Sequence, residues 1–317
     1  MALFLTEEEV GQLLDMPAAI EAVEAAFWEL GAGRATNRPR RRVAVPKGLL
    51  HLMSAALPAA QALGFKAYTT FPGGARFHFT LYDSETGELL ALMQADRLGQ
   101  QRTGAATGVA TRHLARPDAA VLALFGAGWQ ARSQLEAVCA VRPIREVRVF
   151  SRTPERREQF CAEMGGVVGA ALAPVSSPEA ALDGADVVVT ATTARQPVFD
   201  GGLLRSGMHL NVVGSNSLLK REVDDETLRR ADRIVVDSRE AVPLEGGDLM
   251  AALERGLLFP ESLRELGPIV SGAAAGRQTD DEITLFKSHG LAIEDVAVAA
   301  YVYRAARTAA IGREMAV

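Results

Sequence analysis

The chain is expected to be α/β, a doubly wound parallel sheet preceded by a second, α+β domain. Beyond Ala119, near-continuous apolar runs of strand length alternate with helical segments, the pattern of parallel strands covered on both faces. Between Arg40 and Gln94 the runs are short, alternate with polar residues and follow one another through turns, as in an antiparallel sheet. A length of 317 residues at 48% hydrophobic allows each part its own core.

From the N-terminus, Thr6-Glu7-Glu8-Glu9 fits a capping box, and Ile20, Val23, Phe27 and Leu30 recur at helical spacing until Gly31 and Gly33. The chain is therefore expected to open with two helices. Val43 and Val45 alternate with polar neighbours, and Leu49–Met53, Lys66–Phe71, Phe77–Leu81 and Leu89–Met93 read as short strands, with a hairpin turn at Asp83-Ser84-Glu85-Thr86-Gly87. Thr103–Leu114, rich in Ala and Thr, reads as a linking helix, and Arg116-Pro117-Asp118 marks a boundary. This divides the chain into residues 1–116 and 117–291. In the second part Val121–Phe125, Val147–Phe150, Val187–Thr190, His209–Val213 and Ile234–Val236 are strands, and Gln130–Val141 and Pro154–Met164 are helices. Val298, Tyr301 and Val302 put a last helix at Glu294–Thr308; residues 292–317 either close the parallel sheet or return to the first domain.

Composition narrows the function. A net charge of −5, spread without a basic tail, gives no electrostatic footing for nucleic acid or a membrane surface, so a small-molecule partner is expected. No basic segment followed by an apolar stretch opens the chain, and no run approaches the roughly 18 apolar residues of a membrane span. Cys139 and Cys161 lie in helical patterns and are too few for a disulfide framework, which suits a reducing cytoplasm. His51, His78, His113, His209 and His289 show neither HxH nor HExxH spacing, and no metal site is expected. A solvated or hydrogen-bonded role is the ordinary reading for all of them except His51.

The segment "FGAGWQA" follows the apolar run Val121–Leu124 directly. In a dinucleotide-binding turn the first glycine makes the bend, the second lets backbone amides approach a pyrophosphate, and a third small residue lets helix pack on strand. Gly126, Gly128 and Ala131 hold these places, with a strand before and a helix after. The bland alternative is a plain tight turn. The next strand ends in Ser151-Arg152-Thr153, where an NAD site usually offers an acid to the ribose and an Arg accommodates a 2′-phosphate. NADP(H) is thus expected over NAD(H), against the alternative that Arg152 is a solvated helix-start residue.

Eight blocks in one order are more specific than the glycine turn. They are "LLHLMSA" (49–55), "GFKAYTTFPG" (64–73), "QQRTGAATGVATRHLAR" (100–116), "LFGAGWQARSQLEAV" (124–138), "VRVFSRT" (147–153), "GADVVVTATT" (184–193), "GMHLNVVGSNSLLKRE" (207–222) and "LFKSHGLAIEDVAVA" (285–299). With them the chain resembles the ornithine cyclodeaminase/mu-crystallin family, whose members pair a Rossmann domain with an N-terminal substrate and dimerisation domain. The resemblance implies a homodimer and a substrate α-carboxylate held by Arg40, Lys66 and Arg102. It further implies a cofactor pyrophosphate at Gly126, Gly128, Trp129 and Gln130 and an adenosine ribose at Ser151, Arg152 and Thr153. Arg102, Thr103, Thr192, Val213, Gly214, Ser215 and Lys220 would complete the cofactor site, with Ser288 near the nicotinamide.

Two departures bear on the reaction. Asn216 stands where ornithine cyclodeaminases carry an aspartate that handles the substrate amine, and His51 where they carry a glutamate. An amide takes up no proton as a carboxylate does. The expected reaction is the simpler one, reduction of a small cyclic imino acid such as Δ1-pyrroline-2-carboxylate, with Lys66 or His51 as proton source. Ornithine cyclodeamination, amino-acid dehydrogenation and cofactor binding without turnover are the alternatives.

Overall fold

In the computed structural model, which describes residues 1–316, the chain begins with a strand rather than a helix. This is β1 (Ala2–Leu5), whose four residues are too few for a period to show. The two expected helices follow, α1 (Glu7–Leu13) and α2 (Met16–Gly31), and the capping box is formed: Glu9 N donates to Thr6 Oγ1 while Thr6 N donates to Glu9 Oε2 at 2.8 Å.

The alternating stretch builds β2 (Thr36–Val45), β3 (Gly48–Leu57), β4 (Ala62–Phe71), β5 (Gly74–Asp83) and β6 (Leu89–Gln94). Four of these run ten residues, about twice the expected length, because their outer ends are polar or wet and hide the period-2 signal. With β1 and the C-terminal β15 (Arg313–Met315) they form one sheet in the order β15-β1-β6-β5-β4-β3-β2. Pairing is antiparallel throughout except between β1 and β6, which run parallel, a correction to the purely antiparallel unit expected. The inner face carries Met53, Tyr68, Phe79, Leu81 and Met93 into a core shared with Ile20, Val23 and Phe27 of α2.

On β2, the register against β3 shifts between Arg38 and Arg41, so that Pro39 and Arg40 together bulge opposite Met53. A bulge re-aims a side chain. Pro39, which lacks an amide hydrogen, is tolerated on this edge strand, and Arg40 turns inward and is buried while Arg41 and Arg42 stay outside.

Helix α3 (Asp96–Leu114) starts well before Thr103, the expected first residue. Its first two turns are polar and show no apolar stripe, yet Gln100, Gln101 and Arg102 are buried because the helix lies between the two halves of the molecule. Beyond it come β7 (Val121–Phe125), α4 (Trp129–Val141), β8 (Glu146–Phe150), α5 (Pro154–Met164), β9 (Ala171–Pro174), α6 (Pro178–Leu182), β10 (Val187–Thr190) and β11 (His209–Val212). Then follow α7 (Asp225–Arg230), β12 (Arg233–Val236), α8 (Val242–Glu245), α9 (Gly247–Glu254), β13 (Arg264–Glu265), α10 (Leu266–Val270) and β14 (Thr284–Lys287).

The second sheet has the order β13-β12-β14-β11-β10-β7-β8-β9, and every pair is parallel. Strand order reverses between β7 and β10, the switch point outside which such sheets bind ligands. The chain ends with α11 (Ala292–Ala309) and β15 (Arg313–Met315). Both go back to the first sheet: β15 pairs with β1, and Ile293, Val296 and Val302 of α11 join the core under β3 to β6. The two cysteines are free, in α4 and α5.

Candidate active site

The glycine turn behaves as its chemistry requires. Gly126 has φ +117°, and a Cβ there would lie 2.5 Å from the Ala191 carbonyl oxygen, so only glycine fits. Gly128 caps α4 without any side-chain cap, and nothing lies within 4 Å of the place its Cβ would take. The first amides of a thirteen-residue helix are thus open to a ligand in front of a glycine that lets it come close, which fits a pyrophosphate.

Two cavities meet at this turn. One, of about 860 Å3, is lined by Phe125, Gly126, Ser151, Arg152, Thr153 and Arg156 on one side and Thr192 to Val198 on the other. The second, of about 400 Å3, runs under the turn to the first sheet and touches Gly128, Trp129, Gln130, Thr192, Val213, Gly214, Asn216 and Ser288. Arg40, Lys66, Arg102 and Thr103 form its far wall, with the rings of Tyr68 and Phe77. Gly128, Ala191, Thr192 and Thr193 belong to both, so the two make one groove.

Most residues singled out by sequence therefore converge, and three do not. Ser215 is buried with its hydroxyl donating to the Ser217 and Lys220 carbonyls, and Lys220 lines neither cavity; both shape the loop after β11. His51 is stacked on Tyr68 at 4.1 Å, hydrogen-bonds Thr70 through Nε2 and does not line the groove. Burial, then the charges of Arg42 and Arg40, lower its pKa to about 4. Its place behind the tyrosine, off the groove, and its lowered pKa speak against His51 as proton source.

The cations of the far wall meet carboxylates that sequence reading missed. Lys66 Nζ donates to Asp295 Oδ1 at 2.8 Å, and Arg102 Nε donates to the same oxygen at 3.0 Å. Arg102 Nη1 donates to Glu294 Oε2 at 2.7 Å. Burial and then the Arg102 charge lower the Lys66 pKa to about 8, with Asp295 opposing. Burial works against the charge on Arg102 as well, but Asp295 and Glu294 outweigh it and hold its pKa above the ordinary value. The Glu294 carboxyl is pushed up, first by burial and then by the Asp237 and Asp295 charges. Gly290, at φ +78°, admits the guanidinium: a Cβ there would sit 2.5 Å from Arg102 Nη1.

Arg40 is occupied differently. Its Nη1 donates to both oxygens of Glu245 at 2.7 and 2.6 Å, its Nη2 to the His289 carbonyl at 3.2 Å, and its Nε lies 3.3 Å from Met53 Sδ. Arg42 Nη2 joins the same carboxylate at 2.5 Å and the Asn216 carbonyl at 3.1 Å. Two guanidinium groups therefore face one carboxylate, an excess of positive charge beside the groove. Among the described residues, Arg102 Nη2 has no protein partner, and only one of the three Lys66 protons is engaged. These donors, rather than Arg40, are open to an arriving carboxylate.

His289, for which a solvated or hydrogen-bonded role is expected, is buried and hydrogen-bonded, and it also lines the groove. Its Nδ1 donates to Asp237 Oδ1 at 2.7 Å, and Asp237 Oδ2 receives the amides of His289 and Gly290. Burial alone would raise the Asp237 pKa; its pairing with His289 and these amides bring it below the ordinary value. Below the groove, Glu222 accepts from Thr190 Oγ1, Thr192 N and Oγ1, and Gly214 N, tying the ends of β10 and β11 together beside the switch point. Among the described residues no cluster of His, Cys, Asp or Glu could hold a metal, and no helix is long and apolar enough to cross a membrane.

Known proteins are similar to this chain over almost its whole length. A Δ1-pyrroline-2-carboxylate reductase of Bacillus cereus is 35% identical over 323 residues, 99% of each chain. A Thermococcus litoralis Δ1-pyrroline-2-carboxylate reductase, solved in complex with NADH and L-proline, is 38% identical and superposes with a TM-score of 0.94 over 99% of this chain and 100% of that one. An archaeal alanine dehydrogenase dimer with bound NAD is 34% identical, with a TM-score of 0.93 over 99% of each chain. The model of one family matches residues 1–310, and the chain belongs to that family, the ornithine cyclodeaminase/mu-crystallin family.

Proposed function

We propose that the protein is an NAD(P)H-dependent reductase of small cyclic imino acids of the Δ1-pyrroline-2-carboxylate type. The observation that carries this reading is the convergence of Lys66 and the free Nη2 of Arg102 on a cavity continuous with the glycine-turn groove. When bound, a reduced nicotinamide supplies a hydride to the imine carbon. Arg102 Nη2 and the Arg40–Arg42 side of the wall hold the substrate carboxylate electrostatically, and Tyr68 and Phe77 cover an apolar ring. Lys66, largely protonated at neutral pH with a pKa of about 8, gives its proton to the ring nitrogen and is left as the neutral amine. Asn216, with no carboxylate to offer, speaks against cyclodeamination. A second reading, amino-acid dehydrogenation, is favoured by the similarity to the archaeal alanine dehydrogenase.

NADP(H) is the cofactor we infer over NAD(H). No acid lines the adenosine cavity; Ser151, Arg152, Thr153 and Arg156 do, and Arg152 makes no ion pair with protein among the described residues. The Thermococcus litoralis reductase and the archaeal alanine dehydrogenase were solved with NADH and NAD, and the test compares both cofactors. Purified protein is given Δ1-pyrroline-2-carboxylate, its six-membered homologue, or pyruvate plus ammonia, each with NADH and NADPH. Faster NADPH oxidation with a cyclic imine is expected, and Arg152→Ala should lose most of the NADPH advantage while leaving the NADH rate within about threefold. Turnover of pyruvate with ammonia alone would establish the second reading, and a wild-type preference for NADH would remove the 2′-phosphate role from Arg152.

Residues 1–116, together with 292–317, would serve as the substrate and dimerisation part, and 117–291 as the cofactor part. Val43, Val45 and Leu52 stand exposed on and beside the edge strand β2, and a cavity of about 780 Å3 at Leu52 is lined by Met53, Phe65, Pro243 and Leu244, with Arg38, Arg41 and Glu240 among its polar residues. A homodimer through this face is proposed; a monomer in light scattering would refute it. The two free thiols suit a cytoplasmic location.

A further inference from the structure

We propose that Asp295, in the first turn of the C-terminal helix α11, is the positioning residue of the site: one carboxylate oxygen holds the Lys66 ammonium and the Arg102 guanidinium side by side and decides which of their donors face the substrate. The proposal rests on the reductase reading only for the identity of the substrate.

The geometry is that of a shared anchor. Lys66 comes from β4, Arg102 from α3 and Asp295 from α11, 229 and 193 positions beyond the two cations, and all three are buried. Asp295 Oδ1 takes both donors, at 2.8 and 3.0 Å, while its Oδ2 is buried without a partner, so a single atom carries the junction. Two like charges that close repel strongly in a buried site and stay together only with an anion between them. The second anchor, Glu294 on Nη1, completes the constraint: with Nε and Nη1 both engaged, the planar guanidinium cannot turn, and Nη2 is its free corner toward the cavity.

Local structure holds Asp295 in place. It sits at the amino end of an eighteen-residue helix, where the helix dipole favours an anion. The amide of Ile293, two residues before it, donates to Asn37 Oδ1 on β2 at 3.0 Å, which fixes the start of α11 against the first sheet. Other ionisable groups face the pair: Arg40 from β2, Tyr68 from β4, Asp96 from α3 and Glu294 from α11 itself, with His289 and its partner Asp237 from the loops after β14 and β12. Arg40 and Arg102 both oppose the charge on Lys66, and Asp295 is the anion that opposes them. Without it, Lys66 becomes a weaker base and swings away from Arg102, so substrate would have to reassemble the pair on binding.

Asp295→Asn keeps the shape and removes the charge, and Asp295→Glu restores the charge on a longer arm. In the cofactor-free, full-length protein, acetic anhydride labelling of Lys66 is followed by peptide mass spectrometry across a pH series. The wild-type amine should titrate near 8, and Asp295→Asn should lower that midpoint by at least one pH unit, giving several-fold more labelling at pH 7, with Asp295→Glu moving it back. In turnover, Asp295→Asn should raise KM for the imine and lower kcat, with nucleotide KM unchanged. An unmoved Lys66 midpoint in a folded Asp295→Asn protein overturns the proposal, as does an equal rise in the KM of imine and nucleotide. If wild-type protein reduces no imine at all, the reductase reading fails, and the labelling series by itself still decides for or against the shared anchor.

Discussion

Lys66→Met is expected to lower kcat/KM for the cyclic imine by about 100- to 10,000-fold, the range for loss of a positioned general acid, without weakening nucleotide binding. Lys66 is 2% exposed and lies on the inward face of β4, opposite Met53 in the β3–β4 register, where the pleat would otherwise place an apolar side chain. Methionine fills that volume with a similar unbranched chain. The sign of the stability change follows from the pKa. Folding lowers the Lys66 pKa from 10.5 to about 8, so between those values the unfolded chain binds more protons, and stability rises as pH climbs through that window. At neutral pH the fold therefore works against the Lys66 charge. Replacing it, with Asp295 still paired to Arg102, should leave the thermal midpoint equal or higher while activity collapses. The same pKa sets the wild-type profile: kcat/KM for imine reduction should fall as pH rises through about 8, because the ammonium is the acid. A Lys66→Met enzyme within tenfold of wild type would remove Lys66 from proton transfer, and an unstable one would mean that its ion pair outweighs its desolvation.

The parts of the molecule legible in the sequence share a physical cause. Val121–Phe125, Val187–Thr190 and Pro154–Met164 were placed to the residue because parallel strands buried on both faces are continuous apolar runs, and α5 is bounded by Pro at its start and glycines after its end. Elements whose signal is not apolar were lost. β14 contains Thr284 and Lys287, polar yet fully buried, and Lys287 is held by Asp248 at 2.9 Å. β9 is an exposed edge, and β13 has only two residues. The cationic half of the site, Arg40, Lys66 and Arg102, comes from the family resemblance, and of the three only Lys66, a charge among apolar residues on a strand, stands out by itself. The anionic half was not, because Glu245, Glu294 and Asp295 meet those cations across 192 or more residues of chain. One signal for it did exist: Glu294 and Asp295 lie in the first half of a helix, "AIEDVAVAA", whose nine residues are all buried, and two adjacent acids in such a run require buried cations as partners. Nothing local announces the bulge that turns Arg40 inward, which depends on the register of β2 against β3.

That inward turn underlies the second large effect. Arg40→Ala should cost about 3–5 kcal/mol of unfolding free energy, the range for removing one partner of a buried ion pair. Both Arg40 and Glu245 side chains are 3% exposed, and the pair joins β2 to α8, one from each half of the molecule. The variant would leave Glu245 with Arg42 alone, which is partly solvated, and would strip the His289 carbonyl of its donor. Glu245→Gln should be comparably costly, since it leaves two guanidinium groups without a counter-charge. Arg40→Met with Glu245→Leu removes the charges together and should lose less than the sum of the single variants, a coupling of at least about 1 kcal/mol in urea denaturation, as expected for side chains in direct contact. Activity should divide differently. Because every Arg40 nitrogen already has a neighbour in the protein, its loss should act on KM for the imine through the loosened wall and the reduced positive charge, with kcat changed less than in Lys66→Met. Additive single-variant costs would mean that Arg40 and Glu245 act independently, and a kcat loss as deep as that of Lys66→Met would return Arg40 to direct contact with the reacting carboxylate.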